Sequence, residues 1–511
     1  MVIKWIFIIE GLINFIFLDL YFMHMFQLSS YSVSKYMRWI KKNYLKILFK
    51  ESFILFSFLF FIDNIGFKII SCLIMFVSLI YNFPKMKQKV KFRFTNRVIR
   101  IKIIEFLVIA LLFVFLKVDK FIVCLILLNL FSFFVSVVFN FINLPIELII
   151  QRFYIIDAKK KLREMQDLTV IGITGSFGKT SLTNFLYEIL SEKYSVLMTP
   201  KNFNTTMGVV KTIREELKPT HNIFICEMGA TKVGDIEEIC NIVNPKIGII
   251  SSIAPQHLES FKSIENVANT KFELGEAVSK NDGMMFLNFD NELIREYGFK
   301  GKYISYGLDL GDGVKKDYCS KDIEMDCEGV KFKTNGEKYS SCLLGEHNVE
   351  NLTGCIAIGK YLDVDYEDIR YGISRIVGVP HRMEVINKEG FTIIDDTYNS
   401  NPFSSKRSLD TLNLFKGYKV VITPGLIELG EKEKEYNIEL GEYISKICDY
   451  AYIVGKKNSK EIIEGINKGK NKELIITKVN SPEEAMEKVR KLDLKKYVNI
   501  LFLNDLPDNY D

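Results

Sequence analysis

The chain has 511 residues, 48% of them hydrophobic and 25% charged, with a formal net charge of +5. That length suits about three domains, and a charge so modest, with its basic residues beside apolar runs rather than in one stripe, argues against a nucleic-acid partner. The nine cysteines form no CxxC pair or finger spacing, so they read as reduced, buried small hydrophobes rather than a metal or disulfide framework.

Residues before about Pro145 are dominated by Phe, Ile and Leu. The opening run VIKWIFIIEGLINFIFLDLYF is too long for a signal-peptide core and has no small-residue cleavage site. Further apolar runs start near Ser52, Phe67, Ile104 and Phe121. A spanning helix needs about 20 apolar residues, so the runs Ser52–Ile62 and Ile104–Leu116 must recruit their flanks. Basic clusters at Lys35–Lys50, Lys85–Lys102 and Arg152–Arg163 face the cytosol under the positive-inside rule. Residues 1–145 are therefore expected to form a transmembrane region of about five helices, N-terminus outside and the rest of the chain in the cytosol. Residues 146–167 are expected to be a basic linker helix, able to touch anionic lipid. Lys4, Glu10 and Asp19 in the first run either sit near interfaces and helix contacts or mark a polar path. No inverted repeat or pair of broken helices points to a transporter.

The remainder has the alternation of a soluble α/β protein. Leu168–Thr174 (LTVIGIT) is a buried strand by its β-branched run. It leads through Gly175, Ser176, Phe177 and Gly178 into a helix opened by Lys179, Thr180 and Ser181. This strand–glycine loop–helix order cradles phosphate, with Lys179 as point charge and Thr180 as a hydroxyl for magnesium. The cradle alone fits a pump motor, a kinase, a switch or a ligase. Ile223–Cys226 is a strand ending in Glu227, a carboxylate placed for a second metal contact. Ile247–Ser251 precedes a turn holding His257, alone more often structural than ligating. Lys271 falls on the next helix, and Leu287–Asp290 (LNFD) ends another strand. Between Lys302 and Leu344, DGV and NGE turns separate short runs expected to be antiparallel strands appended to the nucleotide sheet.

After Arg382 the pattern restarts with FTIIDDTYNSNP, a helix from Ser404, then YKVVITPG, YAYIVG, ELIITKV and VNILFLND. Such βα alternation implies a second doubly wound sheet. The stretch DDTYNSNP taken alone is an Asx/Pro turn closing a strand.

The ordered series TGSFGKT, NFNTTMG, EMGA, APQHLE, VANTKFE, LNFD, GEHNVEN, PHRMEV and DDTYNSNP resembles the Mur ligase family, on the MurF-type branch that adds D-alanyl-D-alanine to a peptidoglycan precursor. The resemblance implies residues 168–384 as the central ATP-binding domain and 385–511 as a Rossmann-like C-terminal domain. It implies an ATP- and magnesium-dependent amide ligase that forms an acyl phosphate, and the apolar N-terminal third would tether that ligase to the membrane. Its substrates would be a cell-envelope precursor, lipid-linked or UDP-linked, and an amino acid or dipeptide amine, alongside cell-wall synthesis partners at the plasma membrane. Lys179, Glu227, His257 and Lys271 are then catalytic, and Thr180, Glu227, His257 and a carbamylated Lys271 hold metal. Gly175, Ser176, Gly178, Lys179, Thr180, Ser181, Asn288, His347, Asn348, Arg382 and Asp396 bind nucleotide. Asn202, Asn204, Thr205, Tyr398, Asn399 and Asn401 shape the substrate loops, with Pro402 beside them.

The sequence departs from the family pattern in two places. A membrane region stands where the UDP-binding domain is expected, and LFLNDLPDNYD replaces a KGSR-like ending. ITPGLIELG also replaces the more usual G-x-M-x-E-L-G. A poly-γ-glutamate-type membrane ligase and a non-catalytic ATP-binding scaffold are the alternative readings.

Overall fold

The computed structural model describes residues 1–45, 47, 54–82, 91–200, 203–256, 258–326, 328–378, 381–397, 401–427, 429–469, 473–492 and 497–504. Two compact units divide after Arg152, Met1–Arg152 and Phe153–Asp505.

The first unit is helical. Among the described residues, three helices are long and apolar enough to cross a membrane: Val2–Leu28, Ile65–Asn82 and Ser132–Arg163. Three of the expected five spans, the runs from Ser52, Ile104 and Phe121, fall short of that standard, and the third long helix begins later, at Ser132. The described part of the Ser52 run holds only a short 3-10 helix, Phe56–Phe61. Helix Asn96–Phe115 carries Arg97, Arg100, Lys102 and Glu105 in its first half. Helix Val118–Leu130 has only 13 residues, against about 20 for a full crossing. The expected boundary at 145/146 falls inside helix Ser132–Arg163, which runs unbroken through Pro145, so apolar segment and basic linker are one element. Lys4 pairs with Asp119 at 2.5 Å. Asp19 is buried in the bundle, where it pairs with Lys102 and accepts from Ser136 at 3.1 Å. Asn14 bonds to Asn129 at 3.0 Å and Ser78 at 3.3 Å. Asn14 and Asp19 thus find partners across helices, as a low-dielectric interior favours.

The second unit holds two sheets. The larger comprises β1 Thr169–Thr174, β2 Val196–Met198, β3 Ile223–Glu227, β4 Ile247–Ile250, β5 Met284–Asn288, β6 Tyr303–Leu308, β7 Tyr318–Asp326, β8 Gly329–Thr334 and β9 Glu337–Ser341. Their order is β2-β3-β1-β4-β5-β6-β7-β8-β9. Side chains alternate between faces along a strand. Ile171 and Ile173 therefore pack with Leu182, Phe185, Leu352 and Ile356 of helices Lys179–Leu190 and Glu346–Tyr361. Val170, with Phe224 and Cys226 of β3, packs against the other layer, with Ile213, Ile239 and Phe272. Strands β1 to β7 pair in parallel. The antiparallel extension expected from Lys302 begins later, because β6 pairs in parallel with both neighbours and only β7-β8-β9 run antiparallel. Asn335 and Gly336, both at positive φ, make the tight β8–β9 turn that an NG pair favours.

The smaller sheet comprises β10 Glu384–Lys388, β11 Phe391–Asp396, β12 Tyr418–Thr423, β13 Tyr450–Val454, β14 Ile475–Val479 and β15 Val498–Leu503, in the order β10-β11-β15-β12-β13-β14. All but β10 are parallel.

Past the ends of β5 and β6, Lys316 and Asp290 form a buried ion pair at 2.6 Å, exposed by only 1% and 6%. Asp290 also accepts from the Leu308 N–H at 2.7 Å. Asp290→Ala leaves the Lys316 ammonium buried and unpaired, a loss of about 3–5 kcal/mol. Thermal denaturation of the detergent-solubilised chain should show it, and a midpoint equal to wild type would contradict this account of the pair.

Candidate active site

The site lies at the C-terminal ends of the parallel strands, where doubly wound sheets place ligands. After β1, residues Gly175–Gly178 turn into helix Lys179–Leu190. Gly178 sits at φ 80°, and a Cβ there would lie 2.9 Å from the Asn351 side chain, so glycine alone fits. The loop is pinned by residues following β4. Phe177 N–H donates to Ser252 Oγ at 2.9 Å, and Ser176 Oγ accepts from Ala254 N–H at 2.9 Å. The Lys179 ammonium folds back to donate to Gly175 O at 2.6 Å. Burial pushes its pKa down to about 8, opposed by the nearby Glu227 carboxylate and aided by Arg382.

Glu227 ends β3 and is buried. Its Oε1 accepts from Asn204 Nδ2 at 2.8 Å, while Oε2 has no hydrogen-bond partner among the described residues. Lys271, on helix Ile264–Lys280, is only 2% exposed. Burial and then the positive charge of Lys179 push it down to about 7, with Glu273 and Asp235 offsetting part of that. Lys179, Thr180, Asn204, Thr205, Glu227, Lys271 and Arg382 line one cavity of about 450 Å³. An orphaned carboxylate oxygen and a threonine hydroxyl lining the same cavity are the hard oxygen donors that magnesium takes, so these residues fit such an ion.

Two further cavities adjoin the cradle. The smaller, about 70 Å³, is lined by Gly178, Ser181, Asn348, Arg382 and Asp396. Burial pushes Asp396 up to about 6, against the Ser408 hydroxyl that donates to it and the charge of Arg382. The larger, about 500 Å³, has apolar walls including Leu308, Ile323, Met325 and Leu414. His347 lines both. Burial, then Arg407, push its pKa down to about 3, which keeps the ring neutral near pH 7.

The structure thus gathers Lys179, Thr180, Glu227, Lys271, Asn204, Thr205 and Arg382 around one cavity, with Ser181, His347, Asn348 and Asp396 around its neighbours. Gly175 and Ser176 shape the cradle itself. Asn288 lines none of these three cavities. Its amide donates to Ser251 O at 2.8 Å and to Glu350, and its oxygen accepts from Asp290 N–H, so it braces β5 against its neighbours. Asn401 is likewise a helix N-cap, accepting from Phe403 and Ser404 N–H at 3.0 Å. Asn202, His257, Tyr398 and Asn399 lie outside the described residues. Sequence reasoning missed Glu350 and Arg407, which pair at 2.8 Å beside the nucleotide-facing residues. Their motifs, GEHNVEN and a plain amphipathic helix, gave no cue that the two would meet.

Residues 173–359 match the Mur ligase middle domain, and residues 381–501 match the Mur ligase glutamate ligase domain. The chain is 31% identical over 293 residues to the UDP-N-acetylmuramoyl-tripeptide–D-alanyl-D-alanine ligase of Bacillus subtilis, covering 56% of this chain and 62% of that one. It is 32% identical over 349 residues to the Buchnera aphidicola protein of the same name, covering 66% and 73%. Among solved structures, MurF from Acinetobacter baumannii superposes with a TM-score of 0.62 at 26% identity, over 68% of this chain and 76% of that one. MurF from Thermotoga maritima in complex with ADP gives 0.61 at 27% identity, over 70% and 80%.

Two measurements test this geometry. Glu227→Gln removes the orphan charge and should weaken manganese binding, read by electron paramagnetic resonance, by about 10- to 100-fold. Unchanged manganese binding would mean that Glu227 is no ligand. For Lys271 the folded pKa is depressed, so above about pH 7 the unfolded chain binds more protons and this group's contribution to stability rises with pH up to the ordinary lysine range. Lys271→Met should flatten that rise in denaturation curves taken from pH 7 to 10; an identical slope would show the amine is not desolvated.

Proposed function

Because the chain belongs to the Mur ligase family, we propose that it is an ATP-dependent amide ligase of cell-wall precursor synthesis. The observation that carries this reading is the single cavity where the cradle lysine Lys179, the half-paired Glu227 and the desolvated Lys271 meet. Binding ATP needs only the cradle. Activating an acid beside the γ-phosphate needs these additional charges, which disfavours a mere scaffold.

In this reading the γ-phosphate leaves ATP for a substrate carboxylate, and its P–O bond to ADP breaks as the acyl phosphate forms. An incoming amine attacks the acyl carbon, inorganic phosphate departs, and the amine's proton is released to solvent. Phosphoryl transfer calls for positioned charge rather than covalent help. Lys179 and the backbone amides of Gly175–Thr180 hold the β/γ-phosphates at a helix N-terminus. Thr180 and Glu227 would hold the magnesium, which neutralises phosphate oxygens when bound. Lys271, depressed to about 7, has a neutral fraction that can take up carbon dioxide. The resulting carbamate turns a crowding cation into an anion facing Lys179. Arg382, lining both the cradle-side and acceptor-side cavities, is placed to meet the γ-phosphate, and Asp396 to meet the ribose.

The relatives' names specify a UDP-linked tripeptide and D-alanyl-D-alanine. This chain spans 62% of the Bacillus subtilis relative's length, and the matched domains begin at residue 173. Three apolar helices of crossing length occupy the region before them. They support a multi-pass plasma-membrane protein whose ligase unit is cytosolic by the charge rule, acting on an envelope precursor that is lipid-linked or UDP-linked.

Purified chain in detergent, given ATP, magnesium and candidate precursors, should release ADP only when both an acid and an amine are present. Lys179→Ala should lower that rate by about 100-fold or more. ADP release that ignores every amine would refute the ligase reading, and a polymer built from one amino acid would transfer the chain to the poly-γ-glutamate type. Loading with ¹³C-bicarbonate should give a carbamate carbon signal that Lys271→Met abolishes; a signal that persists in that variant would remove Lys271 from this role.

A further inference from the structure

The wall shared by the 70 Å³ and 500 Å³ cavities contains three ionisable groups, His347, Glu350 and Arg407. Arg407 is on helix Pro402–Asn413 of the C-terminal half. Its Nη1 donates to Glu350 Oε2 at 2.8 Å, and Glu350, 6% exposed, is tied through Oε1 to Asn288. The guanidinium also lies 5.4 Å from the ring centre of Phe177, inside the phosphate cradle, and 5.0 Å from that of Phe403. Those two rings stack at 5.7 Å. An arginine seated over two rings gives up little further freedom on meeting a ligand.

A nucleotide whose polyphosphate occupies the cradle and whose base occupies the apolar 500 Å³ cavity must cross this wall at its α-phosphate and ribose. His347 is neutral there and Glu350 repels phosphate. Arg407 alone of the three attracts it, and a guanidinium with five donors can serve an anion while Glu350 holds one arm.

We propose that Arg407 is a nucleotide-positioning residue, contacting the phosphate chain of bound ATP where it passes from the cradle to the base cavity. The Phe177–Phe403 pair is its seat, so the C-terminal half senses the nucleotide through a side chain that also touches the cradle. This rests on the ATP-dependent reading above, and goes beyond it in assigning a residue outside every motif of the family resemblance.

The test is calorimetric binding of ATP, ADP and adenosine to the full chain in detergent, which needs no acceptor. Arg407→Gln keeps a hydrogen bond to Glu350 but loses the charge. It should raise the Kd for ATP and ADP by roughly 10- to 150-fold while changing that for adenosine less than about twofold, since adenosine carries no phosphate. Arg407→Lys should recover most of the loss. An unchanged ATP affinity, or adenosine weakened as much as ATP, overturns the proposal and leaves Arg407 a structural brace. Should Arg407→Gln not fold, Phe403→Leu decides: removing half of the seat should raise the ATP Kd about two- to fivefold, and an unchanged value overturns it. Wild-type chain that binds no ATP would sink the ligase reading as well, whereas wild-type binding with an indifferent Arg407→Gln sinks this one alone.

Discussion

Two ammonium groups, Lys179 and Lys271, are buried around one cavity; burial depresses both, and the charge of Lys179 depresses Lys271 further. Like charges so placed in a poorly hydrated space repel strongly, and the fold holds them there at a cost. Under the proposed function the cost would be offset by anions: phosphate at the cradle, and a carboxylate or carbamate opposite it. Glu227, with one oxygen lacking a hydrogen-bond partner among the described residues, is the buried carboxylate whose charge opposes the depression of Lys179. The site is thus poised for a polyphosphate, a divalent cation and an acid together.

The parallel sheet imposes this arrangement. β1 sits between β3 and β4, so the cradle that follows β1 has the end of β3, with Glu227, on one side and Ser251 and Ser252 after β4 on the other. Helix Ile264–Lys280 packs on the same layer as Phe224 and Cys226 and delivers Lys271 to the cavity. The second sheet contributes from its own strand ends: Asp396 closes β11, and helix Pro402–Asn413 follows at once. Asn401 caps that helix with Ser404 in a reciprocal pair, fixing where Arg407 and Ser408 emerge.

What was readable in the sequence follows from how local each signal is. The cradle is contiguous, so strand, glycine loop and helix could be read in order, as could the Asn335–Gly336 hairpin. Glu227 and Lys271 became legible only through the ordered resemblance, because a lone carboxylate or lysine carries no address. The Glu350–Arg407 pair joins residues 57 positions apart on two helices with unremarkable patterns, so nothing local announced it. Asn288 has a structural part that was equally silent in the sequence. A polar residue at a strand end can tie neighbouring elements together, as Asn288 does by donating to Ser251 and Glu350. In the N-terminal unit, clusters of charge fixed segment order, yet length and buried charge on helices Asn96–Phe115 and Val118–Leu130 could not be weighed until their ends were known.

The central claim is that the energy of ATP passes through a mixed anhydride formed on the acceptor acid within this crowded cavity. Labelling both carboxyl oxygens of a productive acceptor with oxygen-18 tests it directly, by mass analysis of the phosphate set free as amide accumulates. The account predicts one labelled oxygen in each phosphate released. Amide formation with phosphate that stays free of label would contradict it.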